Sequence, residues 1–229
     1  MQLFFLEKPK EKIILNTEES KHAIKVLRKK NGDILNFTDG KGSLYKAKIN
    51  IADSKKCRLK IISSKQKEKQ HNYHLHIAIA PTKNMDRFEW FLEKATEIGI
   101  DEITPIICSN SERKVIKPER GNRILLSAMK QSLKYHLPKL NEVTSFKNFI
   151  KQDFEGAKYI AHCEDGKKNE LRTISKTGRT LILIGPEGDF SPREIELAWQ
   201  NQFKAVNLGR SRLRTETAGI IATHTINII

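Results

Sequence analysis

Two loops concentrate the residues whose types and spacing suit chemistry. The first lies within Leu181-Ile182-Leu183-Ile184-Gly185-Pro186-Glu187-Gly188-Asp189-Phe190-Ser191-Pro192-Arg193-Glu194-Ile195. An apolar run ends in a Gly/Pro loop. A helix then opens on a capping box, with Ser191 as N-cap, Pro192 at N1 and Glu194 at N3. Ligands of open α/β sheets bind where the strands end, and the two glycines let backbone approach a ligand closely. The spacing is neither GxGxxG nor a Walker A loop, and no basic residue is placed for a triphosphate. An ordinary strand-to-helix turn would use similar residues. The second loop is Leu208-Gly209-Arg210-Ser211-Arg212-Leu213-Arg214-Thr215-Glu216-Thr217-Ala218-Gly219. It gathers three arginines around Leu213 and starts a helix with Thr215 or Thr217 as cap. Clustered arginine at a helix N-terminus suits an anion such as an RNA phosphate. A solvated basic loop is the plainer reading.

Both loops need strands to hold them. Leu75–Ala80, Ile103–Cys108, Tyr159–Cys163, Thr180–Ile184 and Ala205–Leu208 are strand-like. Between them, Met85, Phe88, Phe91, Leu92, Ala95 and Ile98 recur at helical spacing up to Gly99, and Arg123–Leu137 suggests a second helix. Alternating strands and helices imply an α/β layer on a parallel sheet. The Met/Phe stripe is expected in the core, and Trp90 and Trp199 in core or interface. Residues 1–70 differ in texture. They show short alternating stretches (44–49 and 56–61), a turn at Asp39-Gly40-Lys41-Gly42 and one helix near Glu19–Leu27, which suggests a small β-barrel. Residues 63–70 are polar and aperiodic and are expected to link domains 1–70 and 71–229.

The net charge of +15 is uneven: residues 1–70 hold 18 Lys/Arg against 8 Asp/Glu. A basic domain attracts polyanions, although a lysine-rich surface can also be merely solvated. Cys57, Cys108 and Cys163 are odd in number and far apart, which argues against a disulfide framework or a thiolate zinc site. His71, His74 and His76 have no Cys, Asp or Glu at ligand spacing, so no metal is expected. The N-terminus lacks the features of a signal peptide, and no run reaches the length of a bilayer span. These features point to a cytoplasmic protein.

Taken together, the stretches 185–198 (GPEGDFSPREIELA) and 208–222 (LGRSRLRTETAGIIA) resemble the ribosomal RNA small subunit methyltransferase E family, a branch of the SPOUT methyltransferases. Met85-Asp86-Arg87-Phe88-Glu89, Lys94, Glu97, Gly99, Lys130-Gln131-Ser132 and Pro138 also fit. So do His22, Val26-Leu27-Arg28, Gly32-Asp33 and Asp39-Gly40 in the N-terminal part. The resemblance implies an α/β C-terminal domain with a deep trefoil knot, a PUA-like RNA-binding β-barrel and a homodimer. It further implies methylation of N3 of one uridine in 16S rRNA of the small ribosomal subunit, with S-adenosylmethionine as methyl donor.

Carried over by position, the donor site comprises His162; Ile184, Gly185, Pro186, Glu187 and Gly188; and Leu208, Gly209, Leu213, Arg214 and Thr217. The family often has a third glycine where this chain has Asp189, and Arg-Ile where it has Ser211-Arg212. Uridine N3 holds its proton with a pKa of roughly 9–10, near that of a phenol. An arginine beside the base carbonyls would stabilise the developing anion. Arg214 is assigned that role, Glu216 is a base or orienter, and Arg28, Arg87 and Arg113 are expected to contact RNA. Alternatives are a related methyltransferase acting on another base or a ribose, and a non-catalytic ribosome-assembly factor that binds RNA.

Overall fold

The computed structural model describes residues 2–174 and 178–229. The chain divides into two compact units: Met1–Gln70 with Met129–Leu137, and His71–Ala128 with Pro138–Ile229.

In the first unit, β1 (Leu3–Phe5), β2 (Lys12–Ile14), β3 (Ile34–Thr38), β4 (Ser43–Ile51) and β5 (Arg58–Gln66) form one sheet in the order β1-β3-β4-β5-β2. Alternation turns Leu35, Phe37, Ala47, Ile49 and Leu59 to one face, where they meet Phe4 and Ile13. A short helix α1 (Thr17–Lys21), prolonged by a π-helical turn (His22–Val26), adds Ala23 to that core. Bulges in the β4–β5 pairing, at Lys46/Ala47 and Ile49/Ile51, bend the sheet. Among the described residues β1 and β2 do not pair, so the sheet is a half-barrel. The expected linker is partly strand. Ser64, Lys65 and Gln66 pair with Tyr45, Leu44 and Ser43, held by the backbone ladder although none of the three is buried.

The second unit is built on parallel pairings of β6 (His74–Ile79), β7 (Glu102–Ile107), β8 (Lys139–Leu140), β9 (Thr144–Ser145), β10 (Ala157–Ala161), β11 (Asn169–Glu170), β12 (Arg179–Ile184) and β13 (Lys204–Asn207). Their order is β11-β13-β10-β12-β6-β7-β8, with β9 beside β7. The late strand β12 therefore fills the slot between the earlier β6 and β10. Its run Thr180–Ile184 is buried throughout because both sheet faces are covered. Leu181 and Leu183 pack with Phe146 and Phe149 of α4 (Phe146–Phe149) and with Ile195 and Ala198 of α5 (Pro192–Gln200). Elsewhere in this unit α6 (Thr215–Ile228) packs against α2 (Met85–Ile98), β6 and β12. The stripe Phe88, Phe91, Leu92 and Ala95 is buried as expected, while Met85 and Ile98 are half-buried. Burying each of the phenylalanines contributes about 1.5–3 kcal/mol.

One expectation is corrected and another is narrowed. The second helix, α3, spans Pro118–Gln131 and not Arg123–Leu137. Leu133 adopts φ 54°, which breaks the helical path, and Lys134 N–H closes the end on Met129 O. Trp90 and Trp199 are not core residues within the chain: they are 46% and 54% exposed.

The histidine group finds acidic neighbours through strand pairing, which linear spacing does not reveal. His71 Nε2 lies 3.2 Å from Asp101, and His76 Nδ1 lies 3.8 Å from Glu102 while its Nε2 meets Thr104 Oγ1 at 2.7 Å. Burial holds the His76 pKa down to about 4, against the pull of Glu102. Between the unfolded value of 6.5 and that value, the unfolded chain takes up a proton that the folded state refuses. Stability therefore falls as pH drops. Thermal unfolding of the wild type should shift downward from pH 7 to pH 5, and His76→Gln should flatten that shift. An equally steep shift in the variant would remove His76 as its cause. Among the described residues no group of three or more His, Cys, Asp or Glu is placed to hold a metal ion, and no helix is long and apolar enough to cross a membrane.

Candidate functional site

A cavity of about 730 Å3 opens at the carboxyl ends of β10, β12 and β13. This is where a parallel sheet exposes backbone amides and carbonyls that no further strand pairs. Nine expected residues line it: His162; Ile184, Gly185, Pro186 and Glu187; Leu208 and Gly209; Leu213 and Arg214. Gly188, Glu216 and Thr217 do not. Gly188 is turned toward Asn110, whose Nδ2 donates to the carbonyls of Gly188 and Asp189 at 3.0 and 3.1 Å. The expected Ser191–Glu194 capping box is present. Glu194 also accepts from Ser109 N–H at 2.8 Å, fixing the far end of the loop.

Gly185 and Gly209 face the cavity differently. A Cβ on Gly185 would meet the Phe190 ring at 3.1 Å, so that position is closed by packing. Gly209 has φ 131° and nothing within 4 Å of where a Cβ would stand, so the backbone there borders open space.

The second loop departs from expectation at its cap. Neither Thr215 nor Thr217 is the N-cap of α6. Arg214 holds that position and contributes no side-chain hydrogen bond. Thr215 is buried, and its hydroxyl donates to Gly185 O at 3.0 Å, tying the two loops together. The Arg214 side chain is exposed at the cavity wall, and Lys168, Arg210 and Arg212 add further positive charge there. Lys168 Nζ donates to His162 O and Glu164 O at 2.9 and 2.5 Å, so this cation also holds the loop after β10.

His162 sits deep in the wall. Neither ring nitrogen has a hydrogen-bond partner, and the ring meets Trp199 edge-on at 6.4 Å. Burial, and next the Lys168 charge, push its pKa down, which keeps the ring neutral.

Asp189 is a site residue that spacing alone did not single out. It lines the cavity at φ 61°, a left-handed conformation in which glycine is the least strained residue. Its carboxylate compensates by accepting from Cys163 N–H at 2.6 Å and from Phe190 N–H at 2.8 Å. The first contact clamps the loop after β10 to the loop after β12. The available signal was the missing third glycine: a short polar side chain in its place is what a left-handed turn tolerates. Asp189→Ala loses both hydrogen bonds and keeps the strain, and should cost about 2–3 kcal/mol. Asp189→Gly should cost about 1 kcal/mol less, and Asp189→Asn least. Thermal unfolding of the three variants checks that order; Ala and Gly behaving alike would show that no strain is stored there.

The remaining predicted residues lie elsewhere. Glu216 is buried in the first turn of α6 and faces Arg87 of α2, with Oε1 3.8 Å from Arg87 Nε. Its Oε2 is buried without a hydrogen-bond partner. Arg113 Nη2 donates to Lys83 O at 3.0 Å, and Lys83 N–H donates to Glu187 Oε1 at 2.9 Å, which links the loop before α2 to the cavity loop. Arg28 belongs to the first unit, exposed and at φ 54°.

Comparison with known proteins agrees with this arrangement. Residues 68–227 match the family described as an RNA methyltransferase domain, and residues 15–62 match an RNA methyltransferase PUA domain. A ribosomal RNA small subunit methyltransferase E of Mesomycoplasma hyopneumoniae is 29% identical over 225 residues, 96% of each chain. A crystal structure described as a probable rRNA-methyltransferase of Porphyromonas gingivalis superposes with a TM-score of 0.92 at 40% identity. It covers 97% of this chain and 95% of that one. A Legionella pneumophila structure holding the bound cofactor SAM gives 0.87 at 26% identity, covering 98% and 96%. With a parallel α/β unit, a PUA-like half-barrel unit and a cavity at the strand ends, the chain belongs to the RNA methyltransferase family, in its ribosomal RNA small subunit methyltransferase E branch.

Proposed function

We propose that this protein transfers a methyl group from S-adenosylmethionine to N3 of one uridine in 16S rRNA of the small ribosomal subunit. The observation that carries the reading is the glycine- and leucine-walled cavity at the ends of β10, β12 and β13, with Arg214 and its basic neighbours at its wall. Its volume lies within the range of sites that enclose a small molecule. The open space beside Gly209 leaves room for a bent ligand against the backbone, and Leu208 and Leu213 offer apolar surface to an adenine. The names of the relatives, and the cofactor in the Legionella structure, support the same assignment.

When bound, the cofactor supplies an electrophilic methyl group on a sulfonium. The chain's own residues would do the rest. The loops at 162–164, 185–189 and 208–214 hold the donor, His162 packing as a neutral ring within the wall. Arg214 stabilises negative charge on the uracil as N3 passes its proton to solvent water, and aligns the base for attack. Glu216 acts through Arg87 and not on the base: it is buried, off the cavity wall and beside that guanidinium. Arg87 and Arg113 then meet RNA on the catalytic domain (71–229), and Arg28 meets it on the basic domain (1–70). A target base inside folded RNA would be turned out of its stack into the cavity.

The C-terminal domain is read as trefoil-knotted. In support, β12 enters between two earlier strands, and α6 packs against the 3-10 turn at Leu171–Thr173 as well as α2, β6 and β12. The working form is read as a homodimer: Ile220 and Ile221 of α6 are only half-buried and Ile228 is 65% exposed, apolar surface that a second copy would cover. An rRNA substrate places the protein in the cytoplasm.

The test is methyl transfer to small ribosomal subunits from cells lacking the protein, with the nucleoside identified by mass spectrometry. N3-methyluridine is the expected product. Another methylated nucleoside would move the activity to a different base or ribose. No transfer, together with no S-adenosylmethionine binding by calorimetry, would leave an RNA-binding assembly factor.

A further inference from the structure

The outer face of the N-terminal sheet carries an arrangement that stability alone does not favour. Register places Lys48 of β4 opposite Lys60 of β5, and Lys60 opposite Lys12 of β2. Three lysines therefore stand side by side on three adjacent strands, spaced by about 4.8 Å per strand. Lys46 of β4, opposite Asn36 and Ser63, and Arg58 of β5, opposite Ile14 and Ile51, flank the row on the same face. All five cations are exposed. Among the described residues two acidic side chains reach this group: Glu11 lies 3.2 Å from Lys60, both well exposed, and Asp53 interacts with Arg58.

Like charges directly opposite across strands destabilise a sheet. Lysines on an edge strand can be explained as protection against unwanted strand pairing. That explanation covers Lys12 on the edge strand β2, but not Lys46, Lys48, Arg58 and Lys60, which lie on the interior strands β4 and β5. The same face also exposes three isoleucines: Ile14 at 63%, Ile34 (opposite Lys48) at 44% and Ile51 at 47%. A merely solvated face would have no use for them. Cations in a row beside exposed apolar groups fit a polyanion that also presents sugar and base surface.

We propose that this sheet face is a docking surface for the RNA phosphate backbone, with Lys12, Lys48 and Lys60 as its central phosphate contacts and Ile14, Ile34 and Ile51 packing against sugars or unstacked bases. The inference rests on the RNA substrate proposed above and assigns it to a particular surface. Phosphate contacts of this kind give affinity and register without sequence choice. The face thus captures the substrate, and selection of the nucleotide is left to the cavity. The partner also relieves the repulsion among the lysines, which predicts a trade between stability and binding.

The test uses the full chain carrying K12Q/K48Q/K60Q, against a control of equal charge, K147Q/K151Q/K204Q. Lys147, Lys151 and Lys204 are exposed residues of the second unit and lie outside the cavity lining. Protein-free 16S rRNA is the probe, titrated across salt concentrations. The face triple should bind about tenfold more weakly at ~0.1 M salt, with a salt slope shallower by about 2, since each lost phosphate contact removes about 0.7–0.9. Its melting temperature should equal or exceed that of the wild type. The control should keep both the affinity and the slope. Equal losses in the two triples would overturn the proposal in favour of bulk charge. So would an unchanged slope in the face triple, or a loss of binding confined to anionic phospholipid vesicles. Calorimetry with S-adenosylmethionine is run on the same proteins: failure of the wild type to bind it would sink the catalytic reading and leave the RNA measurement standing.

Discussion

Replacing Arg214 by alanine should lower kcat by about 100- to 1000-fold, the range seen when one preorganised donor to a developing oxyanion is removed. Several features make the substitution clean. The side chain is exposed at the cavity wall and makes no capping bond to α6. The fold therefore has little to lose, and the melting temperature should stay within about 2 °C, as for most surface changes. KM for the methyl donor should move much less than kcat if the arginine acts on the base. A parallel rise in KM with kcat unchanged would instead make Arg214 part of donor binding. Unchanged turnover would remove it from the mechanism. Arg214→Lys keeps the charge and loses the planar fork, so recovery by lysine would show that charge suffices without bidentate geometry.

The largest expected effect on stability lies in α6, one residue beyond Ala218 of the cavity wall. Gly219 sits in α6 where that helix crosses α2. A Cβ there would stand 2.6 and 2.7 Å from carbons of the fully buried Phe91 ring and 3.0 Å from Ile79 Cδ1. In an exposed helix, replacing glycine by alanine gains about 1 kcal/mol. Here overpacking costs about 1–3 kcal/mol and reverses the sign. Gly219→Val adds two further carbons and should lose about 3 kcal/mol, or roughly 6–12 °C of melting temperature for a chain of this size. Combining it with Phe91→Ala should cost less than the sum of the two single changes, because each makes room for the other. Strict additivity would show that the two residues do not meet. Activity should fall in step with stability, since Thr215 and Ala218 on the same helix line the cavity.

How far the sequence foretold this depends on the range of the interactions involved. The strand before Gly185 and the capping box after it were legible because both are written in consecutive residues. So was the buried stripe of α2, with a period of 3.6. The end of α3 was not, because Leu133 is a helix-compatible residue that takes a left-handed conformation. The last part of β5 was missed because its strand state rests on backbone pairing with β4 and not on alternating burial. At the site, the family resemblance, carried over by position along three loops, identified nine cavity residues. It did not show that Glu216 turns away toward Arg87, that Thr215 anchors Gly185 O, or that Asp189 clamps Cys163. Each of those contacts joins segments distant in sequence, and only the fold reveals them.

The late entry of β12 between β6 and β10 also has a consequence in time. Ile182 pairs with Ile77 across more than one hundred residues. On one side of that slot β6 leaves the ribosome about one hundred residues before the strand that fills it, whereas β10, on the other side, precedes it by fewer than about twenty. Contacts this distant form slowly, since the loop between them must be ordered before they stabilise anything. While the chain waits, the inward edge of β6 stays unpaired, and open strand edges invite association with other chains. The cavity, whose walls are the ends of β10, β12 and β13, assembles only when the final third of the protein has been made. A nascent chain can thus present its basic N-terminal face well before it has anywhere to bind a methyl donor.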